Sequence, residues 1–366
     1  AILKPLLQNL DISYDMFLKH ASLFSRKSLV HKVEVELGSV DSQDRMLDEH
    51  NRSTRYPLGV LLHIAAGNVD GLPAYSVVEG LLTGNINLLK LPSGDQGLSI
   101  LLLQELIQIE PRLQDYIYVF DVPSTEIESI KKLASHSDAV IVWGGDAAVK
   151  AARDFADVQT KIIAWGHKLS FAYCDLSVDD KSLISLSESI CKTNQLLCSS
   201  VQGIYLNTTS REEQIAFAKR FFDVFVSVSK KTKMTPIGMR GKNAISLYNE
   251  VLERGNDIGV FSDAGVSVVT YDDQALTLSY LYRNIWIKRL PIHDIIRVLK
   301  PYKNYLQSAG VYVDKDHEEQ VCTYLAKSGV VRITHLGETS RMISGEAHDG
   351  EYPLRLYSRI VERQIQ

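Results

Sequence analysis

The sequence predicts an α/β protein built from two doubly wound domains, and three observations support this fold class. From Pro57 onward, short apolar runs alternate with helical stretches of about three turns, as in "AVIVWGG" followed by "DAAVKAARDFA". Such apolar runs are typical of parallel strands that are buried on both faces. The length of 366 residues favours two domains over one. The hydrophobic fraction of 45% is that of a globular protein.

The first domain is expected to span residues 1–170, beginning with a helical and polar N-terminal segment. Its predicted elements, in chain order, are a strand from Gly59 to Ile64, a helix from Val69 to Leu82, a strand from Asn87 to Leu91, a helix from Leu98 to Ile109, and then "YIYVFDVP", "TEIESIKKLAS", "AVIVWGG", "DAAVKAARDFA" and "KIIAWG". The β-rich segment "HKVEVELGSV" is ambiguous and is compatible with a hairpin strand that leaves the domain.

The second domain is expected to span residues 171–335 and is followed by a C-terminal return segment, 336–366. Its predicted elements are "SFAYCD", a helix from Asp179 to Leu197, "VQGIYL", a helix from Glu212 to Val226, "VSVVTY", "RNIWIKRL", "AGVYV", a helix from His317 to Ser328, and "VVRITHLG". This rhythm again indicates strands and helices in alternation.

The charge balance argues against a protein that binds nucleic acid through phosphate contacts. The net charge is −4 and the isoelectric point is about 6.2, whereas nucleic-acid-binding domains usually carry a basic excess. The one short basic run, "KKTK" at 230–233, is read as a solvated loop. The alternative is a clamp for an anionic cofactor tail.

The cysteine pattern predicts a reducing, cytoplasmic location. No pair has CxxC spacing, and so few cysteines in a long chain do not form a disulfide framework or a metal site; the four are Cys174, Cys191, Cys198 and Cys322. No segment reaches the ~20 apolar residues that a membrane-spanning helix needs. The segment "AILKPLLQNL" does not have the pattern of a cleavable leader.

Loops at strand ends are where open α/β sheets bind ligands. The first such loop, "HIAAGNVDGLPA", places the side-chain amide of Asn68 at the sheet edge, although asparagine is also a common turn residue. Lys90 ends the next strand, where its ammonium is positioned for a ribose or phosphate; a snorkelling surface lysine is the alternative.

A second candidate loop carries Gly144 and Gly145 between a strand and a helix. This arrangement lets a phosphate approach the positive end of the helix. Asp146 would cap that helix and repel an anion, and the chain lacks a GxGxxG motif. The phosphate loop therefore remains one of two interpretations.

Cys198 is the candidate nucleophile. It lies in "NQLLCSS", at the start of the second domain, in a context that reads as a loop. Buried cysteines usually act as small apolar side chains, and this is the interpretation for the other three. For Cys198, the residues alone leave both readings open.

Taken in order, these motifs resemble the aldehyde dehydrogenase superfamily, and most closely its acyl-CoA reductase branch, the fatty acyl-CoA reductase component of bacterial bioluminescence systems. The resemblance runs from Tyr56 to Gly350. "PLGVLLHIAAGNVDG" is similar to the strand that precedes the family's oxyanion asparagine, which falls on Asn68. "LLTGNINLLKLPS" is similar to the segment whose lysine binds the adenosine ribose, which falls on Lys90.

Two further motifs are in register with that family. "VIVWGGDAAV" stands where the family has its phosphate loop, which places cofactor contacts at Gly144 and Gly145, and "NQLLCSS" takes the place of the nucleophile motif, so the catalytic cysteine falls on Cys198. The resemblance implies an aldehyde dehydrogenase-like fold of two doubly wound α/β domains with the active site in the cleft between them.

The departures from the family pattern indicate a reductase. Aldehyde-oxidising members carry a glutamate before Gly-Gly-Lys that activates the hydrolytic water, whereas "IIAWGHKLS" has Ala164 at the glutamate position and His167 at the second glycine. For a reductase, hydrolysis of the acyl-enzyme is the reaction to suppress. His348, in "AHDG", resembles a motif of the reductase branch; a structural turn is its alternative.

The resemblance also suggests the cofactor. "NIWIK" loosely matches the motif beside the nicotinamide, which places Asn284 at the ribose glutamate and Trp286 at the aromatic position, with an ordinary core role for Trp286 as the alternative. Ser93 stands where many NAD-preferring relatives carry a glutamate. Because no carboxylate would repel a 2′-phosphate there, we predict NADPH, with NADH as the alternative.

The implied activity is reduction of a fatty acyl-CoA thioester to an aldehyde through an acyl group on Cys198, with coenzyme A as the leaving group and Asn68 in the oxyanion hole. We also expect a homo-oligomer. The alternatives are an acyl-phosphate reductase, an aldehyde dehydrogenase, and a non-catalytic binding protein on the same fold.

Overall fold

The computed structural model describes residues 24–40, 44–65, 67, 71–95, 97–263 and 265–365. The chain divides into two compact units, one formed by residues 1–166 together with 342–366 and the other by residues 167–341. The boundaries expected from the sequence are at 170 and 335. Asn68, the predicted oxyanion residue, lies outside the described residues.

The strands of the described chain are β1 (Asp44–Met46), β2 (Asn51–Pro57), β3 (Val60–Ile64), β4 (Ile86–Lys90), β5 (Ile117–Phe120), β6 (Ala139–Trp143), β7 (Lys161–Trp165), β8 (Leu169–Cys174), β9 (Val201–Leu206), β10 (Ile258–Asp263), β11 (Val266–Tyr271), β12 (Asn284–Arg289), β13 (Leu306–Tyr312), β14 (Arg332–His335) and β15 (Ser358–Gln364). The α-helices are α1 (Arg26–Leu37), α2 (Leu72–Leu82), α3 (Leu98–Ile109), α4 (Ile127–Ser135), α5 (Asp146–Phe155), α6 (Asp180–Thr193), α7 (Arg211–Ser229), α8 (Ile237–Arg254), α9 (Ile295–Leu299), α10 (Lys315–Ser328) and α11 (Pro353–Leu356).

The first unit contains a parallel five-stranded sheet in the order β5-β4-β3-β6-β7. The apolar strands β3 and β6 lie at its centre and are almost wholly buried, as the continuous apolar runs predict. Strand order reverses between β3 and β6. The carboxyl ends of the strands at this reversal form the switch-point edge, where such sheets bind ligands. The predicted doubly wound pattern is confirmed here.

A second, antiparallel sheet of the first unit has the order β1-β2-β15. Most of β15 is exposed, so its polar sequence "SRIVERQ" lacks the apolar pattern that predicts a strand. The C-terminal segment joins this unit because β15 pairs with β2 along its whole length, from Ser358 opposite Pro57 to Gln364 opposite Asn51.

The strand interpretation of "HKVEVELGSV" was wrong, because its first seven residues, 31–37, form the C-terminal part of helix α1. Ser25 caps this helix by accepting a hydrogen bond from the backbone N–H of Ser28 (3.2 Å), and Gly38 ends it at a φ of +96°. The buried side chains Lys32, Val33 and Glu36 lie on one helical face. Because two of these three buried residues are charged, apolar residues do not recur at helical spacing in this segment.

The second unit contains a seven-stranded sheet in the order β10-β11-β12-β9-β8-β13-β14, parallel except for the β10–β11 pair. One face packs against α6 and α7 through residues such as Leu186 and Phe221, and the opposite face packs against α9 and α10. Helix α8 was not predicted from the sequence. Its buried residues are Asn243 and Leu247, and so few buried positions give little apolar periodicity.

No helix in the part of the chain that the structure describes has the length and apolarity that a bilayer crossing requires.

Helix α1 is held in the first unit by a buried cluster of three charges. The ammonium of Lys32 lies 2.6 Å from Glu36 Oε1 and 3.0 Å from Glu79 Oε1, and all three residues are at most 5% exposed. Glu36 also accepts a hydrogen bond from the backbone N–H of Leu354 (2.7 Å). Two carboxylates share one cation, and burial raises the pKa of Glu79 to about 7.

This cluster predicts a contribution to stability that falls as the pH rises. Because the folded-state pKa of Glu79 lies above its usual value of 4.5, the folded protein holds a proton that the unfolded chain releases between these two values. Glu79 should therefore contribute a decrease in the free energy of unfolding from about pH 4.5 to about pH 7, against the increase that the lowered pKa of the buried residue His63 contributes over much of the same range. Glu79→Gln should remove the Glu79 contribution and leave the variant more stable than wild type at pH 8, by about 3 kcal/mol.

The measurement is urea unfolding at pH 5 and pH 8. Glu128→Gln is the control, since Glu128 pairs with Lys131 on the surface and its side chain is 86% exposed; it should change neither value by more than about 0.5 kcal/mol. Identical pH slopes for wild type and Glu79→Gln would rule out Glu79 as the titrating group.

Candidate active site

The nucleophile loop, residues 194–200, connects α6 to β9 in the second unit. Helix α6 ends because Asn194 and Gln195 adopt left-handed conformations, with φ of +47° and +63°. Residues Leu197 and Ser200 then close a tight turn: the Ser200 N–H donates to the Leu197 carbonyl (2.9 Å), and the Leu197 N–H donates to the Ser200 hydroxyl (3.2 Å). Cys198 lies inside this turn with an exposed thiol.

Cys198 differs in exposure from the other three cysteines. Cys174 and Cys191 are buried core residues, and burial raises the pKa of both thiols. Burial also raises the pKa of Cys322, which is of intermediate exposure. Since the thiolate is the reactive form of cysteine, these three are poor nucleophiles, and Cys198 is the exposed candidate.

The side chain of Gln195 fixes one end of the nucleophile loop. Its Nε2 donates to the carbonyl oxygens of Val201 (3.1 Å) and Asn284 (2.8 Å) and to the hydroxyl of Ser279 (3.1 Å). Its Oε1 accepts from the backbone N–H groups of Arg283 (2.9 Å) and Asn284 (3.0 Å). The two amide hydrogens are shared among three acceptors and the residue is 1% exposed, so Gln195 joins the loop to the segment before β12.

That partner segment is itself conformationally unusual. Leu281, Tyr282 and Arg283 have φ of +61°, +50° and +74°, a region that non-glycine residues enter at a cost of about 1–3 kcal/mol each. The Tyr282 N–H donates to the Asn194 carbonyl (2.9 Å), and the Arg283 guanidinium donates to the Ser229 hydroxyl (2.7 Å). The strained segments 194–195 and 281–283 are thus joined by a hydrogen bond, and strained backbone of this kind is common at functional sites.

Strands β8 and β13 support Cys198 from the other side. The hydroxyl of Ser170 donates to the Cys198 carbonyl (2.8 Å) and accepts from the backbone N–H of Ser308 (3.1 Å). The side-chain amide of Gln307 donates to the Cys198 sulfur, with 3.3 Å between Nε2 and Sγ. A hydrogen-bond donor therefore faces the reactive atom.

Trp286, predicted to lie beside the nicotinamide, is a buried residue of β12. Its ring packs against Tyr205 with a centroid distance of 4.9 Å, and its indole N–H donates to the Thr277 carbonyl (2.9 Å). A Cβ atom at Gly203 would lie 1.9 Å from the indole ring, which explains the glycine there. These are the contacts of a core residue, the alternative that the sequence analysis left open.

In the first unit, Lys90 ends β4 at the switch-point edge. Its ammonium donates to the hydroxyl of Ser124 (2.8 Å), and the residue is 3% exposed. Burial lowers the pKa of Lys90, and the carboxylate of Asp121 opposes that shift. This is not a snorkelling surface lysine. Ser93 lies in an exposed turn beyond the strand.

Gly144 and Gly145 connect β6 to α5 at the same edge. The N-cap of α5 is Gly145, with no side-chain capping bond, so Asp146 is the first helical residue and not the cap that the sequence suggested. A Cβ at Gly145 would meet no atom within 4 Å. The side-chain position of Gly145 is therefore unoccupied, so no protein atom covers the backbone on that side.

A buried hydrogen-bonded chain lies beneath this edge and fixes the tautomer of His63. Asn87 donates its amide to two carbonyls, so its Oδ1 accepts from His63 Nε2 (3.0 Å). His63 Nδ1 then accepts from the Ser76 hydroxyl (2.7 Å), which accepts from the indole N–H of Trp143 (3.1 Å). Burial lowers the pKa of His63 to about 4, so the neutral ring orients Trp143.

His348 packs in the first unit against Trp143 and Trp165, with ring centroid distances of 4.9 and 4.8 Å. Its backbone forms a β-bridge with Glu351. The segment is therefore a turn, as the structural alternative held, and its imidazole belongs to an aromatic cluster at the C-terminal ends of β6 and β7. Ala164 precedes Trp165 on β7 and is exposed.

Gln195, Gln307 and Ser170 were not predicted from the sequence. Gln195 stands in the quoted motif "NQLLCSS", so its proximity to Cys198 was visible. Gln307 gave no signal, because 109 residues separate it from Cys198.

Comparison with known proteins agrees with this architecture. The glyceraldehyde-3-phosphate dehydrogenase of Methanocaldococcus jannaschii, solved in complex with NADP, superposes with a TM-score of 0.69 over 93% of this chain and 80% of its own, at 14% identity. A putative aldehyde dehydrogenase, PutA, from Anabaena variabilis gives a TM-score of 0.64 over 87% of this chain and 75% of its own, also at 14% identity. The protein has the aldehyde dehydrogenase-like α/β fold, with an exposed cysteine in the loop that precedes β9.

A sequence profile of the acyl-CoA reductase (LuxC) family matches residues 5–360, and the chain belongs to this family of reductases. Among similar sequences, the long-chain acyl-protein thioester reductase of Vibrio harveyi is 24% identical over 350 residues, covering 93% of this chain and 72% of that protein. The protein of the same name from Photorhabdus luminescens is 27% identical over 345 residues, covering 91% and 70%. The predicted family resemblance is confirmed.

Proposed function

We propose that this protein reduces acyl thioesters to aldehydes, using Cys198 as the acyl acceptor and NADPH as the reductant. The observation that carries the proposal is the exposed thiol of Cys198, held in a braced turn with a side-chain amide facing its sulfur, in a chain of the acyl-CoA reductase family. A thiol so placed is suited to covalent catalysis.

The proposed first step is thioester exchange. The Cys198 thiolate attacks the acyl carbonyl, the carbon–sulfur bond to the donor breaks, and the donor leaves as a thiolate that takes up a proton. One thioester replaces another, so the exchange is close to isoenergetic. Asn68 remains a prediction as donor to the tetrahedral oxyanion, a role worth about 2.7–4 kcal/mol per donor.

The switch-point edge of the first unit fits the phosphate and ribose end of a dinucleotide. The side-chain position of Gly145 at the α5 N-cap is unoccupied, Lys90 brings an ammonium to the end of β4, and Ser93 is exposed without a carboxylate at that position. We propose that these residues hold NADPH. When bound, the dihydronicotinamide would supply the hydride for reduction of the acyl group on Cys198.

The identity of the thioester donor is the finer part of the proposal. The family description names acyl-CoA, whereas the similar proteins are named for acyl-protein thioesters; their names do not support coenzyme A as the leaving group. Both donors present the same acyl–sulfur bond to Cys198. We therefore propose a long-chain acyl thioester and leave the carrier to experiment.

Ala164 at the position of the water-activating glutamate supports reduction over oxidation. Without a carboxylate there, no base at that position deprotonates water, and the acyl-enzyme should be long-lived. In the absence of reductant, acyl-Cys198 is expected to persist for minutes.

The test combines a donor panel with intact-protein mass spectrometry. Long-chain acyl-CoA, an acylated carrier protein and an acyl phosphate are each mixed with the protein, first without and then with NADPH. We expect a stable acyl adduct and, on addition of NADPH, its loss with release of aldehyde. Fatty acid release without NADPH would contradict the reductase proposal. Adducts from acyl phosphate alone would indicate an acyl-phosphate reductase.

A further inference from the structure

The sheet of the second unit is irregular next to the nucleophile. In the pairing of β8 with β13, Leu169 lies opposite Leu306 and Phe171 lies opposite Ala309. One residue of β8, Ser170, therefore faces two residues of β13, which is the definition of a β-bulge. The extra residue belongs to the pair Gln307–Ser308.

The same stretch of β8 faces a second irregularity on its other edge. Against β9, Ser170 pairs with Val201, whereas Ala172 pairs with Ile204, so two residues of β9 face one of β8. Bulges re-aim side chains and are common beside active sites. Here both bulges lie where β8 and its neighbours meet the nucleophile loop.

The bulge on β13 directs two groups to the same residue of that loop. The backbone N–H of Ser308 reaches the Ser170 hydroxyl, which in turn donates to the Cys198 carbonyl. The Gln307 side chain, only 6% exposed, reaches the Cys198 sulfur itself. The loop backbone and the reactive atom are thus set by adjacent residues of one strand.

We infer that Gln307 is a catalytic residue whose amide N–H stabilises the thiolate of Cys198. This inference rests on the proposed function. A side-chain amide does not take up a proton at neutral pH, so Gln307 acts as a donor and not as the base that removes the thiol proton. A hydrogen bond donated to sulfur favours the charged form over the neutral thiol.

The same bond serves at both ends of the proposed reaction. It favours the thiolate that attacks the donor thioester. After reduction, the thiohemiacetal loses its hydroxyl proton, the oxygen electrons form the aldehyde carbonyl, and the carbon–sulfur bond breaks with its electron pair passing to sulfur. The leaving group is again the Cys198 thiolate, and Gln307 lowers its energy.

The test is the pH dependence of Cys198 alkylation by iodoacetamide, followed by peptide mass spectrometry so that each cysteine is measured separately. Gln307→Leu removes the donor, and Gln307→Glu keeps the shape but replaces the amide with a carboxyl group. We expect Gln307→Leu to react about tenfold more slowly than wild type at pH 7 and to approach the wild-type rate near pH 10. Gln307→Glu should react no faster than Gln307→Leu at pH 8.

The control is Gln320→Leu, an exposed glutamine of α10 that bonds to Tyr324, and its alkylation profile should match wild type. A Gln307→Leu profile that overlays wild type, or one that is slower by the same factor at every pH, would overturn the inference, since lost packing would not shift the titration. If Gln307→Leu fails to fold, an alkylation rate of Gln307→Glu above that of wild type at pH 8 would also overturn the inference. These readouts use no substrate, so they are independent of whether Cys198 carries an acyl group.

Discussion

Replacing Cys198 with alanine should abolish thioester reduction, with a loss of about 10⁴-fold or more. The thiol is the only acyl acceptor in the proposed reaction, so neither the acyl-enzyme nor the aldehyde should form without it. The fold should persist, because the Cys198 side chain is exposed and the loop is held by the side-chain hydroxyls of Ser170 and Ser200, which bond to its backbone, and by Gln195.

The measurement is intact-protein mass spectrometry after mixing with an acyl thioester, followed by NADPH absorbance. Wild type should gain one acyl group that peptide mapping places on Cys198. Cys322→Ala is the matched control, since Cys322 is partly exposed on α10, and it should form adduct and aldehyde at the wild-type rate. An adduct on Cys191, or full activity in Cys198→Ala, would refute the proposed nucleophile.

The sequence predicted the sheets and the nucleophile loop because both depend on local patterns. Apolar runs such as β3 and β6 are buried on both faces, and the small polar residues around Cys198 form a turn between a helix and a strand. Where local patterns are polar, prediction failed. Helix α1 buries the charged residues Lys32 and Glu36, so its inward face does not read as apolar.

The contacts that tune the site depend on register, which the sequence does not display. Gln307 faces Cys198 because a bulge shifts the pairing of β13 with β8, and a bulge of one residue leaves no mark on an apolar run. The motif alignment that placed Trp286 beside a cofactor could not display its packing either: in the structure, the Trp286 ring lies against Gly203 and is buried, and its contact with a cofactor stays a prediction.

The second large effect is expected for Gln195. Gln195→Ala would leave the buried backbone N–H of Arg283 without this acceptor, at about 1–3 kcal/mol, and would leave the Asn284 N–H with only the Leu281 carbonyl (3.2 Å). It would also remove the three bonds that the amide donates, including the one to Ser279. We expect the free energy of unfolding to fall by about 3–5 kcal/mol. In the protein that remains folded, acylation of Cys198 should slow by about 100-fold, because a displaced nucleophile loses its alignment with the carbonyl.

Gln214→Ala separates these two effects. Gln214 is a second buried glutamine of the same unit, on α7, and donates to the carbonyls of Tyr271 (2.9 Å) and Ile287 (2.8 Å). Gln214→Ala should also destabilise the protein, because it removes buried side-chain hydrogen bonds. The rate of Cys198 acylation in the folded fraction should nevertheless stay within about threefold of wild type. Equal loss of acylation rate in the two variants would mean that Gln195 acts through stability alone.

Gln195→Glu tests the same bonds through pH. The isosteric side chain keeps an acceptor for Arg283 and Asn284, but an ionised carboxylate would face the carbonyl oxygens of Val201 and Asn284, to which the amide now donates. Protonation restores one donor, so the variant should regain stability as the pH falls toward 5, a direction opposite to simple acid denaturation. Urea unfolding of wild type and Gln195→Glu at pH 5 and pH 8 gives this comparison. A variant that gains no more stability than wild type at the lower pH would show that the Nε2 bonds do not hold the loop.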